Sequence, residues 1–204
     1  MKTILQLKSS IFSDGGQSST LANEFVQSLR EQGASVIVRD LAREPVPHLT
    51  AERFQSFIAT PEARSAVQKD VVAFSDALIE ELKRADVIVL GLPMYNFGIP
   101  SMLKAYFDHI ARAGVTFRYT ANGPEGLLAG KKAYVFAARG GLYAGTPRDT
   151  QTAYVRDFLA FLGIADIEFV YAEGLAVSES AREQGIARAH ADIDRLAEPE
   201  VAMV

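Results

Sequence analysis

The alternation of short apolar runs with helix-like segments constrains the fold of this chain more than any other feature. Between the runs, apolar residues recur at spacings of three and four, as on one face of a helix. An example is the series Val67, Val71, Phe74, Leu78 and Leu82. The apolar runs lie at 3–7, 34–38, 86–93 and 133–138 and in the segment IADIEFVYAEG. Five strands that alternate with helices predict a parallel sheet covered by helices on both faces, because right-handed crossovers place them there.

The helices expected between these strands have recognisable ends. Leu21, Phe25 and Leu29 lie on one stripe, and Gly33 is well placed to end that helix. Further helices are expected over Pro61 to Arg84, Pro100 to Ala111, Tyr154 to Leu162 and Ile186 to Leu196. The segment through Pro45 and Pro47 predicts a polar connection. Residues 113–132 predict a long functional loop, with or without a short hairpin.

The composition excludes several classes of function. With 21 basic and 25 acidic residues, the chain has no basic surface to bind nucleic acid or anionic lipid. The lack of cysteine excludes disulfides, thiolate metal sites and a cysteine nucleophile, so any redox chemistry needs a bound cofactor. The three histidines are widely separated and show no metal-ligand spacing.

Length and hydropathy favour a single domain in the cytoplasm. A chain of 204 residues fits one domain with a full core. Its first apolar run is too short for a signal peptide, and no run approaches the roughly 20 residues of a membrane helix. We therefore expect no membrane partner.

Loops with distinctive chemistry follow the first, third and fourth predicted strands. The carboxyl ends of parallel strands meet at one sheet edge, where ligands bind near the point at which strand order reverses. The first loop has Ser10, Gly16, Gln17 and Ser18 just before a helix N-terminus, where hydroxyls and free N–H groups favour a phosphate monoester. A helix cap followed by a solvated loop is the alternative interpretation.

The second loop, PMYNFGIP at residues 93–100, places Tyr95 and Phe97 between two prolines. A planar ring could lie against these aromatic side chains while backbone groups bond its edge. Aromatic side chains that pack into the core are the alternative.

The third loop, ARGGLYAG at residues 138–145, combines paired glycines with a cation, Arg139, and an aromatic ring, Tyr143. Gly140 and Gly141 allow the backbone to approach a ligand closely. An ordinary glycine turn with a surface arginine is the alternative.

The stretch ADVIVLGLPMYNFGIPSMLKAYFDHIARAGVTFRY closely resembles the FMN-dependent NADH azoreductase and quinone reductase family of flavodoxin-like proteins. KSSIF, GPEGL and ARGG match the same family in the same order. The resemblance implies a flavodoxin-like three-layer α/β sandwich with a five-stranded parallel sheet in the order 2-1-3-4-5. It also implies one FMN-binding domain over residues 1–204, with an active-site loop at about 113–130.

The resemblance assigns residues to the cofactor by position. The FMN phosphate would be held by Ser10, Gly16, Gln17 and Ser18. The isoalloxazine and ribityl would be lined by Met94, Tyr95, Asn96 and Phe97, and the polar edge of the ring closed by Ala138, Arg139, Gly140 and Gly141. Relatives often have serine in place of Gly16 and Ala138, so backbone contacts would replace hydroxyl bonds at these two positions.

The same resemblance implies the activity. NADH or NADPH would reduce the FMN, and a quinone or an azo compound would reoxidise it from the same slot, which predicts ping-pong kinetics and cleavage of azo compounds to amines. The flavin N5 would carry the hydride, so no protein residue is expected to be the catalyst. The resemblance further suggests a homodimer with the active site at the interface. Its substrate slot would be formed by Phe117, Tyr119, Tyr143 and Phe161, and core packing is the alternative for Phe117.

Two alternatives to this function remain open from the sequence. An electron-carrier flavodoxin would pass single electrons to protein partners without a small-molecule substrate of its own. A regulatory protein could keep the fold without the flavin. The aromatic residues at 113–130 favour the enzyme.

Overall fold

A parallel five-stranded sheet forms the centre of the computed structural model, which describes residues 1–198. The strands, in chain order, are Thr3–Lys8 (β1), Ser35–Asp40 (β2), Val87–Pro93 (β3), Phe117–Thr120 (β4), Gly123–Gly126 (β5), Lys132–Ala138 (β6) and Asp166–Ala172 (β7). The sheet has the order β2-β1-β3-β6-β7, while β4 and β5 form a separate hairpin. The predicted order 2-1-3-4-5 is therefore confirmed.

Helices cover both faces of the sheet. They span Gln17–Glu31 (α1), Ala51–Ile58 (α2), Ala66–Arg84 (α3), Ser101–Ile110 (α4), Thr150–Phe161 (α5) and Glu179–Ala197 (α6). One hydrophobic cluster includes Phe25 of α1 and Ile193 of α6, and the other includes Leu78 of α3, Leu103 of α4 and Val155 of α5. All residues of β3 are buried, as expected for a strand with helices on both faces.

The helix predicted from Pro61 begins later, at Ala66. Pro61–Ala63 form a separate 3-10 turn, and Ser65 caps α3. The Ser65 side chain accepts a hydrogen bond from Gln68 N, and the Gln68 side chain accepts one from Ser65 N. This reciprocal capping box satisfies donors that a longer helix would have bonded internally, and so defines the start.

Helix α2 was not predicted by the sequence analysis, which placed only a polar connection before Pro61. Thr50 caps this short helix by accepting a hydrogen bond from Arg53 N. Phe57 then packs edge-on against His109 at a ring distance of 5.9 Å, and the Arg112 guanidinium lies 5.0 Å from its centroid. Because an eight-residue helix is marginal in isolation, these contacts with distant residues account for its stability.

The segment 113–132, expected to be a loop with or without a hairpin, contains the antiparallel pair β4 and β5. The hairpin follows the end of α4 and packs on the end of α5, where Leu128 N donates to Leu162 O. A Cβ on Gly126 would lie 2.0 Å from Gly163 N, so the two backbones approach too closely for any side chain. Within residues 1–198, no helix combines the length and the apolar character needed to cross a bilayer.

Candidate functional site

The loops that follow β1, β3 and β6 converge on one pocket of about 170 Å³ at the carboxyl edge of the sheet. This is the edge where strand order reverses between β1 and β3, as the sheet order requires. The pocket is lined by Ser10, Phe12, Gly16, Gln17, Ser18, Pro93, Met94, Tyr95, Ala138, Arg139, Gly140 and Leu175. Of the residues predicted to bind the cofactor, Asn96, Phe97 and Gly141 lie just outside this lining.

The first turn of α1 presents unpaired hydrogen-bond donors to the pocket. Gly16 is the N-cap residue and provides no capping side chain. The Ser18 and Ser19 hydroxyls are buried without a hydrogen-bond partner, and Ser18 also lines the pocket. A buried hydroxyl without a partner costs free energy, so a ligand oxygen that accepts from it would be favoured there. An uncapped helix N-terminus with a free hydroxyl is suited to an anion.

Ser10 lies directly against the start of this turn. Its Oγ accepts a hydrogen bond from Phe12 N at 3.1 Å. A Cβ on Gly16 would lie 2.1 Å from Ser10 Oγ, so a residue with a side chain at position 16 would displace Ser10. Glycine at position 16 therefore permits a close approach of these two loops.

The loop after β3 contains a strained turn. Tyr95 N donates to Gly98 O at 3.2 Å, and Gly98 N donates to Tyr95 O at 3.0 Å. Asn96 and Phe97 have φ values of 49° and 64°, a left-handed conformation that is costly for residues other than glycine. Their N–H groups form no hydrogen bond within residues 1–198, so both remain free to donate. The turn thus holds two free donors beside the pocket.

Phe97 is 55% exposed, so the alternative that it packs into the core is wrong. Its ring meets that of Tyr143 edge-on, with a centroid distance of 5.8 Å. Phe97 also borders a mainly apolar groove of about 480 Å³. The groove is lined by His48, Phe97, Gly98, Ile99, Ser101, Lys104, Thr150 and Tyr154. Phe97 therefore belongs to a second open surface next to the loop after β3.

The side chain of Arg139 does not offer a free cation to the pocket, contrary to the expectation from the sequence. It is buried and forms ion pairs with Asp149 at 2.9 Å and with Glu173 at 3.1 Å. The alternative of a surface arginine is also wrong. Burial opposes ionisation of Asp149, but hydrogen bonds from Arg139 and Thr152 outweigh it and lower the pKa of that carboxyl.

The backbone of this third loop nevertheless faces the pocket. Arg139 N and O bond to Ala172 O and Leu175 N, which extends the pairing of β6 with β7. The N–H groups of Gly140 and Gly141 have no hydrogen-bond acceptor within the described residues. A Cβ on Gly141 would lie 2.7 Å from the Tyr143 ring, so a side chain at position 141 would push that ring aside.

Comparison with known proteins identifies the family. Residues 2–197 match the family described as having a flavodoxin-like fold. The chain is 55% identical to the FMN-dependent NADH:quinone oxidoreductase of Cellvibrio japonicus, over 96% of this chain and 98% of that protein. The chain belongs to this flavodoxin-like family of FMN-dependent NADH:quinone oxidoreductases. FMN-dependent NADH:quinone oxidoreductase 6 of Burkholderia lata is likewise 55% identical, over 93% of this chain and 96% of its own length.

Solved structures of azoreductases superpose on nearly the whole chain. An azoreductase from Bacillus anthracis has a TM-score of 0.88 at 28% identity and covers 97% of this chain and 99% of its own. An FMN-dependent NADH-azoreductase from the same species, in complex with FMN, has a TM-score of 0.85 at 26% identity. This second match covers 97% of this chain and 100% of its own. The family resemblance and the fold class predicted from the sequence are thus confirmed.

Three of the residues predicted for the substrate slot lie far from the pocket of this chain. Phe117 is buried in the core, with its ring 4.3 Å from that of Phe161 and 5.5 Å from that of Tyr119. Helix α5 begins beside Phe97, to whose carbonyl Thr150 donates, and rises about 16 Å before it reaches Phe161. Only Tyr143, which packs on Phe97, lies at the pocket edge of the same chain.

Several residues of the site were missed by the sequence analysis. Phe12, Pro93 and Leu175 line the pocket, and Leu175 could have been found because its loop follows β7 at the same sheet edge. Gln151, buried in the first turn of α5, bonds to two of the pocket loops. Nothing in the sequence distinguishes this glutamine from a solvated residue near a helix start.

Proposed function

We propose that this chain binds FMN and uses NADH to reduce quinones by two electrons, and that it cleaves azo compounds to amines. The observation that carries the proposal is the buried Ser18 hydroxyl without a partner at the uncapped start of α1, in the pocket where three loops meet. Relatives and solved neighbours in the same family are named FMN-dependent NADH:quinone oxidoreductases and azoreductases. One solved neighbour holds FMN itself.

The pocket fits FMN in its chemistry. A phosphate would take hydrogen bonds from the first turn of α1 and from Ser10, whose donors are neutral. The residues proposed to lie along the ribityl and isoalloxazine are Met94, Tyr95, Asn96 and Phe97. The proposed contacts to the polar edge of the ring come from the backbone of Ala138, Arg139, Gly140 and Gly141, since the Arg139 guanidinium is engaged elsewhere.

The chemistry that FMN supplies is two-electron transfer from NADH to the acceptor. The task of the protein is to hold the ring and to set the charge around it. Free N–H groups of Asn96, Phe97, Gly140 and Gly141 would favour negative charge at the edge of the ring. No carboxylate lines the pocket to oppose that charge, among the residues that the structure describes.

We further propose a homodimer in which each pocket is completed by the partner protomer. The support is that Tyr119 is 74% exposed and packs on Phe117, which in turn packs on Phe161 at the end of α5 that lies away from the pocket. In this proposal Tyr119 and Phe161 of one protomer would cover the pocket of the other, with Phe117 supporting them from the core. A cytoplasmic location and a single domain stay predictions of the sequence.

The alternative of an electron carrier receives no support from the relatives, which are named as oxidoreductases and reductases. The two functions differ in whether a small molecule or a protein reoxidises the flavin. An enzyme of this kind releases NAD⁺ before the quinone binds, whereas a carrier needs a protein partner.

The test is an anaerobic absorbance titration of the purified chain with FMN, then NADH, then benzoquinone or an azo dye. We expect the flavin bands to bleach with NADH and to return with the acceptor. Initial rates should give parallel double-reciprocal lines, as one shared slot requires. Failure to bind FMN, or bands that bleach only with a chemical reductant in one-electron steps, would exclude the proposal.

A further inference from the structure

Gln151 is a fully buried glutamine whose side chain joins two pocket loops. Its Nε2 donates to Pro93 O and to Gly98 O, both at 2.9 Å. Its Oε1 accepts from Arg139 Nε at 3.2 Å. The orientation of the amide is unambiguous, because two carbonyl oxygens can only accept and a guanidinium can only donate.

Arg139 holds the other end of this link. Its remaining donors reach Glu173 at 3.1 Å, Asp149 at 2.9 Å and Thr152 at 3.1 Å. Glu173 Oε1 also accepts from Tyr143 N and from Ala144 N, each at 2.9 Å. The third loop is thus tied to the start of α5 and to the loop after β7. Gln151 couples this buried network to the loop after β3, where Thr150 also donates a hydrogen bond to Phe97 O.

The bonds from Gln151 act on the strained turn. Gly98 O receives both Tyr95 N within the turn and Gln151 Nε2 from behind it, while Pro93 O lies at the start of the loop. Left-handed residues such as Asn96 and Phe97 persist only where the surrounding structure holds them. Without Gln151, Pro93 O and Gly98 O would each lose a hydrogen-bond donor, and a buried carbonyl without a donor is costly.

We propose that Gln151, oriented by Arg139, is a positioning residue that sets the Tyr95–Gly98 turn and thereby the free N–H groups of Asn96 and Phe97. The inference rests on the proposed binding of FMN, whose ring those groups would contact. Gln151 itself lies behind the loop and does not line the pocket. Its effect on the flavin therefore passes through the turn.

The experiment compares Gln151→Leu with Gln6→Leu. Leucine removes the amide donors at similar volume. Gln6 is a matched control because it is also a buried glutamine, but its side chain bonds to Asn23 rather than to a pocket loop. Three properties are measured: the FMN dissociation constant by fluorescence, the visible spectrum and midpoint potential of the bound flavin, and hydrogen exchange at Tyr95 and Gly98 without FMN.

We expect Gln151→Leu to weaken FMN binding about tenfold, to shift the spectrum and potential, and to speed exchange at both amides. Gln6→Leu should lose stability and leave all three properties unchanged. If Gln151→Leu does not fold, Gln151→Glu serves the same test, since its carboxylate keeps the shape but cannot donate.

Unchanged affinity, potential and exchange in a folded Gln151 variant would overturn the inference while leaving the proposed function intact. Equal shifts in the Gln6 variant would also overturn it, because the effect would then be general destabilisation. If the unmodified chain binds no FMN, the proposed function fails instead. The exchange measurement separates these cases, because it reports on the turn in the protein without FMN.

Discussion

The Tyr95 hydroxyl lies 3.3 Å from Ser10 Oγ and so ties the loop after β3 to the loop after β1. The same oxygen accepts from Ile11 N at 3.3 Å. The two ends of the proposed FMN site, one for the phosphate and one for the ring, are therefore linked through a single side chain. Both contacts are long for hydrogen bonds, which makes the link a modest one.

We expect Tyr95→Phe to weaken FMN binding several-fold, because about 1 kcal/mol of loop ordering is lost while the ring is kept. A fluorescence titration measures the change. Tyr143→Phe is the matched control, since the Tyr143 hydroxyl forms no hydrogen bond within residues 1–198 and its ring still packs on Phe97. Equal affinities for the two variants would contradict a role for the Tyr95 hydroxyl.

Ser18→Ala should affect the protein with and without FMN in opposite ways. Without FMN, removal of a buried hydroxyl that has no partner should leave the unfolding temperature unchanged or raise it. FMN binding should weaken by about 1 kcal/mol, or roughly fivefold, because a phosphate acceptor loses its donor. Riboflavin, which has no phosphate, should bind equally to both proteins.

Ser19→Ala is the control for this prediction. Its hydroxyl is equally buried and unpaired, but Ser19 does not line the pocket. Calorimetry should therefore show the same effect on the unfolding temperature as for Ser18→Ala, and fluorescence titration should show no change in FMN affinity. A loss of riboflavin affinity in Ser18→Ala would show that the hydroxyl does not act on the phosphate.

Phe117 and Tyr119, neighbours on β4, should give separable effects. Phe117→Ala should lower the free energy of unfolding by about 3–5 kcal/mol, since it leaves a cavity against Phe161. Tyr119→Ala should change stability by less than about 0.5 kcal/mol, because the ring is exposed. If Tyr119 of the partner protomer completes the pocket, Tyr119→Ala should raise the KM for quinone.

Denaturant unfolding and steady-state kinetics at a protein concentration where the dimer is intact measure both effects. Tyr119→Ala with unchanged quinone kinetics would contradict the proposed interface. Sedimentation of the same variant shows whether any kinetic loss comes from dissociation.

Stability should fall in mild acid through His109. Burial lowers the pKa of this histidine, and the charge of Arg53 adds to the effect, although the bond from Nδ1 to Ala105 O partly opposes it. The unfolded chain therefore takes up a proton below about pH 6.5 that the folded chain resists, so stability present above that pH is lost as the pH falls. The loss is limited to about 1.4 kcal/mol per pH unit for one proton.

Urea unfolding at pH 7.5 and at pH 5.5 measures this dependence. His109→Phe should flatten it, because a phenyl ring can occupy the position between Phe57 and Phe74 without titrating. An equally steep decline in the variant would assign the acid sensitivity to other groups.

The periodicity of the sequence predicted most of the strands and helices, because the spacing of apolar residues shows which face of each segment is buried. The alternation of apolar runs with helical stripes also placed three loops at one sheet edge, and the structure brings those loops together. Helix α2 escaped prediction, since its stability comes from contacts of Phe57 with residues about fifty positions away.

What the sequence by itself determined was the strand and helix order, and with it the edge where a ligand binds. Only the tertiary structure decided what each side chain at that edge does. In the folded chain the Arg139 guanidinium bonds within a buried network, and Gln151 lies between two loops. Phe117 and Phe161 lie at the far end of α5. The physical reason is that periodicity encodes which face is buried, whereas the partner of a polar group depends on the packing of segments far apart in the chain. Gln151 and Pro93, for example, are separated by 58 positions.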